Sequence, residues 1–182
     1  LHSLAYKCLR LESHEIMDEL DYIELGDMTG RKFVNKMKKG NGIDFSMPTA
    51  QSQYQDTINL AYAKYPNDKD RLPKIFKEVK LSDYGARSTI LQMDKDLTNY
   101  KRDRHKLEYV DYFNSFLECK NPPALKYLII DEAQDLSAHQ WMVVEMIQKI
   151  SKPIETYVAG DDDQAIFRWA GADIEHFINM AK

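Results

Sequence analysis

Four consecutive apolar residues, Tyr127, Leu128, Ile129 and Ile130, run directly into Asp131 and Glu132. The run is too short for a helix and shows no alternation, so it predicts a strand buried on both faces. Ser137 with Gln140 three residues later makes a capping box, which opens a helix carrying Trp141, Val144, Ile147 and Ile150. Ile154 through Ala159 predicts a second strand. Asp173 caps a last amphipathic helix through Ile174, Phe177 and Ile178. Strand, crossover helix and strand make a parallel βαβ unit, and ligands gather beyond the carboxyl ends of such strands. Asp131 and Gly160 stand at those two ends.

The chain before this unit is patterned for helices, from Ser13 to roughly Leu117. Ser13 caps a predicted helix through Ile16, Leu20 and Ile23 that stops at Gly26. Thr29 caps another through Phe33, Val34 and Met37, ended by Gly40-Asn41-Gly42. A third runs through Tyr54, Ile58, Ala61, Tyr62 and Tyr65 to Pro66, and a short fourth through Leu72, Ile75, Phe76 and Val79. Ile90, Leu91 and Leu97 mark a weaker fifth. Leu107, Val110, Phe113 and Leu117 mark a long sixth, closed by Asn121-Pro122-Pro123. Leu1, Leu4, Ala5, Cys8 and Leu9 already run at helical spacing with no cap before them, which reads as a cut through a longer polypeptide.

Composition narrows the function classes. Hydrophobic residues at 43% and charged residues at 30% describe a soluble globular protein of 182 residues. No apolar run approaches the roughly 20 residues of a membrane span, and no signal-peptide layout opens the chain, so the cytoplasm is the default compartment. Cys8 and Cys119 lie outside any metal-binding spacing and read as reduced, half-buried packing residues. A formal net charge of -4 excludes capture of nucleic acid by the overall field, so any such contact must be local.

Asp131 and Glu132 follow a strand directly, so the fold fixes their backbone while their side chains face the crevice. Such a pair suits Mg²⁺-nucleotide chemistry, one carboxylate on the hydrated metal and its neighbour on the attacking water. Acids at strand ends are also common polar punctuation. Gly160-Asp161-Asp162-Asp163-Gln164 brings a second acidic loop beside the first, and three consecutive carboxylates repel one another unless solvated or near a cation. A solvated turn, with Gly160 at positive φ, is the competing reading of that loop.

These residues carry a resemblance. Asp131-Glu132-Ala133-Gln134-Asp135 resembles motif II, the Walker B segment, of superfamily 1 helicases of the UvrD/Rep group. Gly160 through Asp173, reading GDDDQAIFRWAGAD, resembles that family's motif III. More weakly, Leu1-His2-Ser3-Leu4 is similar to a Thr-x-His-Ser-Leu segment of the family, and Glu108-Tyr109-Val110-Asp111 to the point where its chain re-enters the ATPase domain. The resemblance implies an α/β fold: a partial RecA-like, P-loop NTPase parallel sheet with a mostly helical inserted subdomain. Residues 1–12 and 107–182 would belong to ATPase subdomain 1A, and 13–106 to a 1B-like insertion.

The resemblance also implies roles. Asp131 would be the Mg²⁺ carboxylate, and Glu132 would activate water and stand close enough to touch the metal. Gln164 would lie near the γ-phosphate of ATP, with Gln134 and Asp135 supporting the network. An amide offers both a donor and an acceptor, so it can exchange partners when a phosphate arrives. Phe167 and Trp169, with Arg168 between them, would stack single-stranded bases, and His2 and Ser3 would touch the DNA backbone. Core packing is the common fate of such rings, and a histidine near an apolar stripe is more often structural. Ala170 stands where many relatives carry an arginine.

The implied partners are ATP, Mg²⁺, single-stranded DNA with duplex junctions, and the remaining helicase domains in cis, in a bacterial or phage-infected cell, with no membrane. No G-x-x-x-x-G-K-[ST] phosphate loop occurs in these residues, so the piece alone is expected to hydrolyse ATP negligibly. A non-catalytic DNA- or protein-binding remnant is the alternative, and a Mg²⁺-dependent nuclease a weaker one. Two basic runs, Arg31, Lys32, Lys36, Lys38, Lys39 and Lys101, Arg102, Arg104, Lys106, read as solvated helix faces before they read as phosphate contacts.

Overall fold

The computed structural model describes residues 1–33, 50–165 and 171–180. The fold is mixed α/β, mostly helical, with one two-stranded parallel sheet among the described residues. Two compact units emerge: Leu1–Leu11, Leu60–Arg71 and Tyr109–Lys182 form the first, Glu12–Asn59 and Leu72–Glu108 the second. Leu60–Arg71 cluster with the segments at either end of the chain.

In the first unit, α1 (His2–Leu9) packs on α6 (Tyr109–Cys119), and α6 on α7 (Ala138–Ser151). Strand β1 (Tyr127–Ile130) pairs in parallel with β2 (Glu155–Val158), in the register Tyr127 to Glu155 and Ile130 to Val158. Helix α7 crosses between the strands, and α8 (Ile174–Met180) follows. The capping box forms as the sequence predicts: the Gln140 N–H donates to Ser137 Oγ at 3.3 Å and the Ser137 N–H to Gln140 Oε1 at 2.8 Å. Asp173 likewise caps α8, its Oδ1 accepting from the His176 N–H at 3.1 Å.

The core beneath the sheet gathers Ile130, Ala133, Trp141 and Val144, with Leu1, Leu128, Leu136, Val158 and Phe177 packed against it. Only one face of β1 is covered. Ile129 is 72% exposed and Tyr127 49%, so the expectation of a strand buried on both faces fails. Helices α7 and α8 pack on the Leu128 and Ile130 side, and side chains at alternate positions point the other way. Both cysteines are free thiols; Cys8 is half-buried as expected, whereas Cys119, also expected to be half-buried, is exposed.

In the second unit, α2 (Glu19–Thr29) starts later than its first capping candidate. Ser13 is only the first residue of a 3-10 turn over Ser13–Glu15 that Glu12 caps, and Asp18 caps the helix that follows. Asp18 Oδ1 accepts from the Leu20 N–H at 2.8 Å and the Asp21 N–H at 3.2 Å, while Asp21 Oδ2 takes the Asp18 N–H at 2.9 Å. Gly26 lies inside this helix, and Gly30 ends it at φ 66°. Thr29 closes it too, its hydroxyl donating to the Leu25 carbonyl at 2.7 Å, so it caps no following helix. The helix expected through Val34 and Met37 falls outside the described residues.

Helix α3 (Ala50–Lys64) stops before Pro66, and α4 (Arg71–Glu78) buries Leu72, Ile75 and Phe76, both as expected. The weakly marked fifth helix becomes α5 (Tyr84–Arg104), 21 residues long, capped by Asp83 Oδ1 on the Ala86 N–H at 2.8 Å. Leu107 does not begin α6. It bridges to Ile16 instead, its N–H donating to the Glu15 carbonyl at 2.7 Å and its carbonyl accepting from Met17 at 3.0 Å.

Candidate functional site

The parallel register sets the site. Because β1 and β2 end side by side, the turns after Ile130 and Val158 become neighbours, and the backbone stitches them together. The Ala159 N–H donates to the Ile130 carbonyl at 2.8 Å, and the Ala133 N–H to the Ala159 carbonyl at 2.9 Å. Asp131 and Glu132 sit on this rim with exposed side chains, while Ala133 and Gln134 turn inward and are buried.

Glu132 holds a left-handed backbone, φ 52° and ψ 43°, from which a 3-10 turn over Ala133–Asp135 starts. That conformation is uncommon outside glycine and concentrates at functional turns. The Glu132 N–H donates to Asp131 Oδ1 at 3.0 Å, and the Asp135 N–H to the Glu132 carbonyl at 3.0 Å. Asp135 Oδ1 is buried without a hydrogen-bond partner among the described residues.

Gln134 is the joint between the two loops. Its Nε2 donates to Glu132 Oε2 at 2.6 Å, and its Oε1 accepts the Asp161 N–H at 3.1 Å. Asp161 then caps its own turn: Oδ1 accepts the Asp163 N–H at 3.0 Å, and Oδ2 accepts Gln164 Nε2 at 2.6 Å. One hydrogen-bonded chain therefore runs from Glu132 through Gln134 and Asp161 to Gln164. Asp161, Asp162, Asp163 and Gln164 are otherwise exposed.

Gly160 is needed for a different reason from the one its sequence context suggests. It is not among the residues with positive φ. A Cβ there would stand 2.5 Å from Gln134 Oε1 and 2.9 Å from Phe177 Cζ, so glycine provides room rather than conformational freedom. The signal was present in the sequence as a glycine between a strand and an acidic loop. Its partners, Gln134 and Phe177, were not legible.

Other candidate residues lie elsewhere in the first unit. Ser3 is exposed on α1. His2 packs among Tyr109, Tyr112 and Phe113, with ring centroids 4.9, 6.2 and 4.5 Å away. Burial, aided by the nearby amino-terminal charge, lowers its pKa to about 4. His139 on α7 meets the other side of this cluster, 5.5 Å from Phe113, and its Nε2 is buried without a partner among the described residues. Burial and the Arg71 charge bring its pKa to about 4 against the opposing pull of Asp111. Phe167, Arg168 and Trp169 lie outside the described residues, as does Ala170.

The basic runs divide in the same way. Lys36, Lys38 and Lys39 fall outside the described residues, whereas Arg31 pairs with Asp96 at 2.6 Å. In the second run, Lys101 pairs with Glu108 at 3.0 Å, Lys106 with Asp21 at 2.9 Å, Arg102 with Asp103 at 3.0 Å, and Arg104 with Glu24. Lys101 and Lys106 are thus drawn into largely buried ion pairs of the second unit, whereas Arg102 and Arg104 remain exposed, as a solvated face requires. No grouping of three or more His, Cys, Asp or Glu side chains with metal-binding geometry occurs among the described residues. Nor, among them, is any helix long and apolar enough to cross a membrane.

The family model for the UvrD/REP helicase N-terminal domain matches residues 1–182. The chain belongs to the UvrD/Rep helicase family. ATP-dependent DNA helicase PcrA of Staphylococcus aureus is 34% identical over 194 aligned residues, covering 100% of this chain and 25% of that protein. ATP-dependent DNA helicase Rep of Buchnera aphidicola is 40% identical over 56 residues, 31% of this chain and 8% of the relative. The probable DNA helicase II homolog of Rickettsia felis is 34% identical over 77 residues, 38% of this chain and 12% of the relative. The chain thus spans a quarter or less of these UvrD/Rep relatives. The sources are bacterial, and a phage origin finds no support among them.

Proposed function

We propose that this chain is part of the motor core of an ATP-dependent DNA helicase, a RecA-like ATPase subdomain 1A with a helical 1B-like insertion, and that the rim after β1 and β2 is its nucleotide-hydrolysis site. The observation that carries this reading is the continuous hydrogen-bonded chain Glu132–Gln134–Asp161–Gln164 across the two strand ends. An acidic turn and an amide-bearing turn locked together at the carboxyl edge of a parallel pair is the layout that nucleotide chemistry uses.

The donor set supports a hard divalent cation. Exposed carboxylate oxygens match Mg²⁺, which keeps several waters and takes only one or two protein carboxylates beside the phosphates of its nucleotide. Asp131 is the residue assigned to hold it, and Glu132 the one assigned to take a proton from water. When bound, Mg²⁺-ATP supplies the phosphoanhydride to be cleaved and the charge that offsets it. Gln134 keeps the Glu132 carboxylate directed across the rim. Gln164, the residue assigned to the γ-phosphate, rests on Asp161 through one amide N–H, and an amide has a second N–H and an oxygen to offer another partner.

Phe167, Trp169 and Arg168 are assigned to stacking and holding single-stranded bases, and Ser3 with His2 to the DNA backbone. The support for these is the family match and the sequence of the segment between Gln164 and Asp173. In the intact protein, the expected outcome is single-stranded-DNA-stimulated ATP hydrolysis that powers duplex separation. The test compares the full-length protein with its Glu132→Gln variant. Turnover should fall by about a hundredfold or more while DNA binding persists. Equal turnover in the two proteins rejects the assignment.

A further inference from the structure

We propose that Gln134 is a positioning residue that sets the aim of the Glu132 carboxylate according to where the Gly160–Gln164 loop stands. This rests on the reading of Glu132 as the group that activates water. The side chain is 2% exposed, so its two hydrogen bonds are its whole means of satisfying a buried amide. Nε2 reaches Glu132 Oε2 at 2.6 Å and Oε1 reaches the Asp161 N–H at 3.1 Å. An amide is the one side chain of this length that donates in one direction and accepts in the other. A carboxylate in its place would keep the Asp161 contact and turn a second negative charge on Glu132.

The geometry leaves Gln134 no other berth. Gly160 lies against its carbonyl oxygen, with room for hydrogen and none for a methyl group, since a Cβ would stand 2.5 Å from Oε1. On the far side, Phe177 of α8 closes the same space, 2.9 Å from that Cβ position. A shift of the Gly160–Asp161 backbone therefore either drags the amide or breaks its bond to the Asp161 N–H. Either event alters what Glu132 Oε2 accepts. Because Asp161 also holds Gln164 at 2.6 Å, a change of partner at Gln164 has a route of three hydrogen bonds to the Glu132 carboxylate.

The test uses the full-length protein with saturating single-stranded DNA, and reads kcat and the KM for ATP separately, with thermal midpoints alongside. Q134E should lower kcat by about ten- to a hundredfold while KM for ATP changes by less than about threefold, as for a misaimed catalytic group. It should also lower the melting midpoint. In the swap E132Q/Q134E, the amide introduced at 132 can donate to the carboxylate introduced at 134, so much of that midpoint is recovered without activity, a non-additivity that a separate structural role does not give. G160A, which alters no polar group, should reproduce the kcat loss.

Should Q134E fail to fold, Q134M removes both hydrogen bonds at nearly constant volume and carries the same kcat expectation. A folded Q134E or Q134M with wild-type kcat overturns the proposal, as does strict additivity of the midpoints in the swap. The two levels separate cleanly: active E132Q refutes the reading of the site, whereas inactive E132Q with active Q134E refutes only the coupling.

Discussion

Lys101 and Glu108 form an ion pair at 3.0 Å in which both side chains are almost withdrawn from solvent, 10% and 13% exposed. Glu108 also accepts the Tyr22 hydroxyl at 2.5 Å, so the pair ties α2 and α5 to the residue just before α6. Removing one partner takes the ion pair from a charge that is largely withdrawn from water. Glu108→Ala should therefore cost about 3 kcal/mol of unfolding free energy, measured by urea titration, while the apolar double replacement K101M/E108L should recover most of it. An unchanged midpoint in E108A would show that the pair contributes nothing.

Trp141 anchors the core under the sheet. Its ring is 1% exposed and stacks on His176 with centroids 4.6 Å apart and planes at 24°. Trp141→Ala should lower stability by about 3–5 kcal/mol, which thermal unfolding would read as a large drop in midpoint. Phenylalanine at the same position should cost much less, because the buried indole N–H has no hydrogen-bond partner among the described residues and the volume change is smaller.

His139 makes the fold sensitive to acid. Burial first, and then the Arg71 charge, hold its pKa at about 4 in the folded chain, below the ordinary imidazole value of 6.5. As pH falls through 6.5 the unfolded chain takes up a proton that the folded chain refuses, so stability declines from there until the folded pKa is reached. The stabilisation is thus complete above that upper value and lost toward pH 4, by up to about 3 kcal/mol. Replacing His139 with phenylalanine should flatten the acid limb of a plot of stability against pH. The slope that remains belongs in part to His2, whose pKa is lowered in the same direction.

Gly160→Ala should be destabilising even though the backbone there is ordinary. The added methyl group meets Gln134 Oε1 and the Phe177 ring, neither of which is at the free end of a solvent-exposed chain. A loss of about 1–3 kcal/mol is expected, measured by thermal or urea unfolding. A stability equal to wild type would mean that α8 gives way freely.

Where the sequence was legible, the deciding interactions were local. Ser137 and Gln140 lie three residues apart and settle the start of α7 between themselves, and Asp173 does the same for α8. The strands were found because four apolar residues ending in acid leave few alternatives. Their burial was misjudged because the covering of Ile129 depends on packing partners distant in sequence, and α7 and α8 take only the other face. Asp18, not Ser13, caps α2, and Ser13–Glu15 is held by Leu107, whose N–H reaches the Glu15 carbonyl from far along the sequence. In the candidate site, Asp131, Glu132 and Gln164 stand out in the sequence by their resemblance to motif residues. The close packing of Gly160 on Gln134 is not legible there, since it arises from a space that only folded loops enclose.

Glu132 is the acid that carries the left-handed turn after β1. A non-glycine residue in that region pays roughly 1–2 kcal/mol in close contacts between its Cβ and the main chain. The direction in which this side chain leaves the backbone is consequently set by the peptide planes on either side of it, much as a gun is laid by its mounting, and Gln134 acts on the carboxylate at its far end. Asparagine, which tolerates the same φ, would inherit the mounting with a shorter barrel, and glycine would free the mounting altogether.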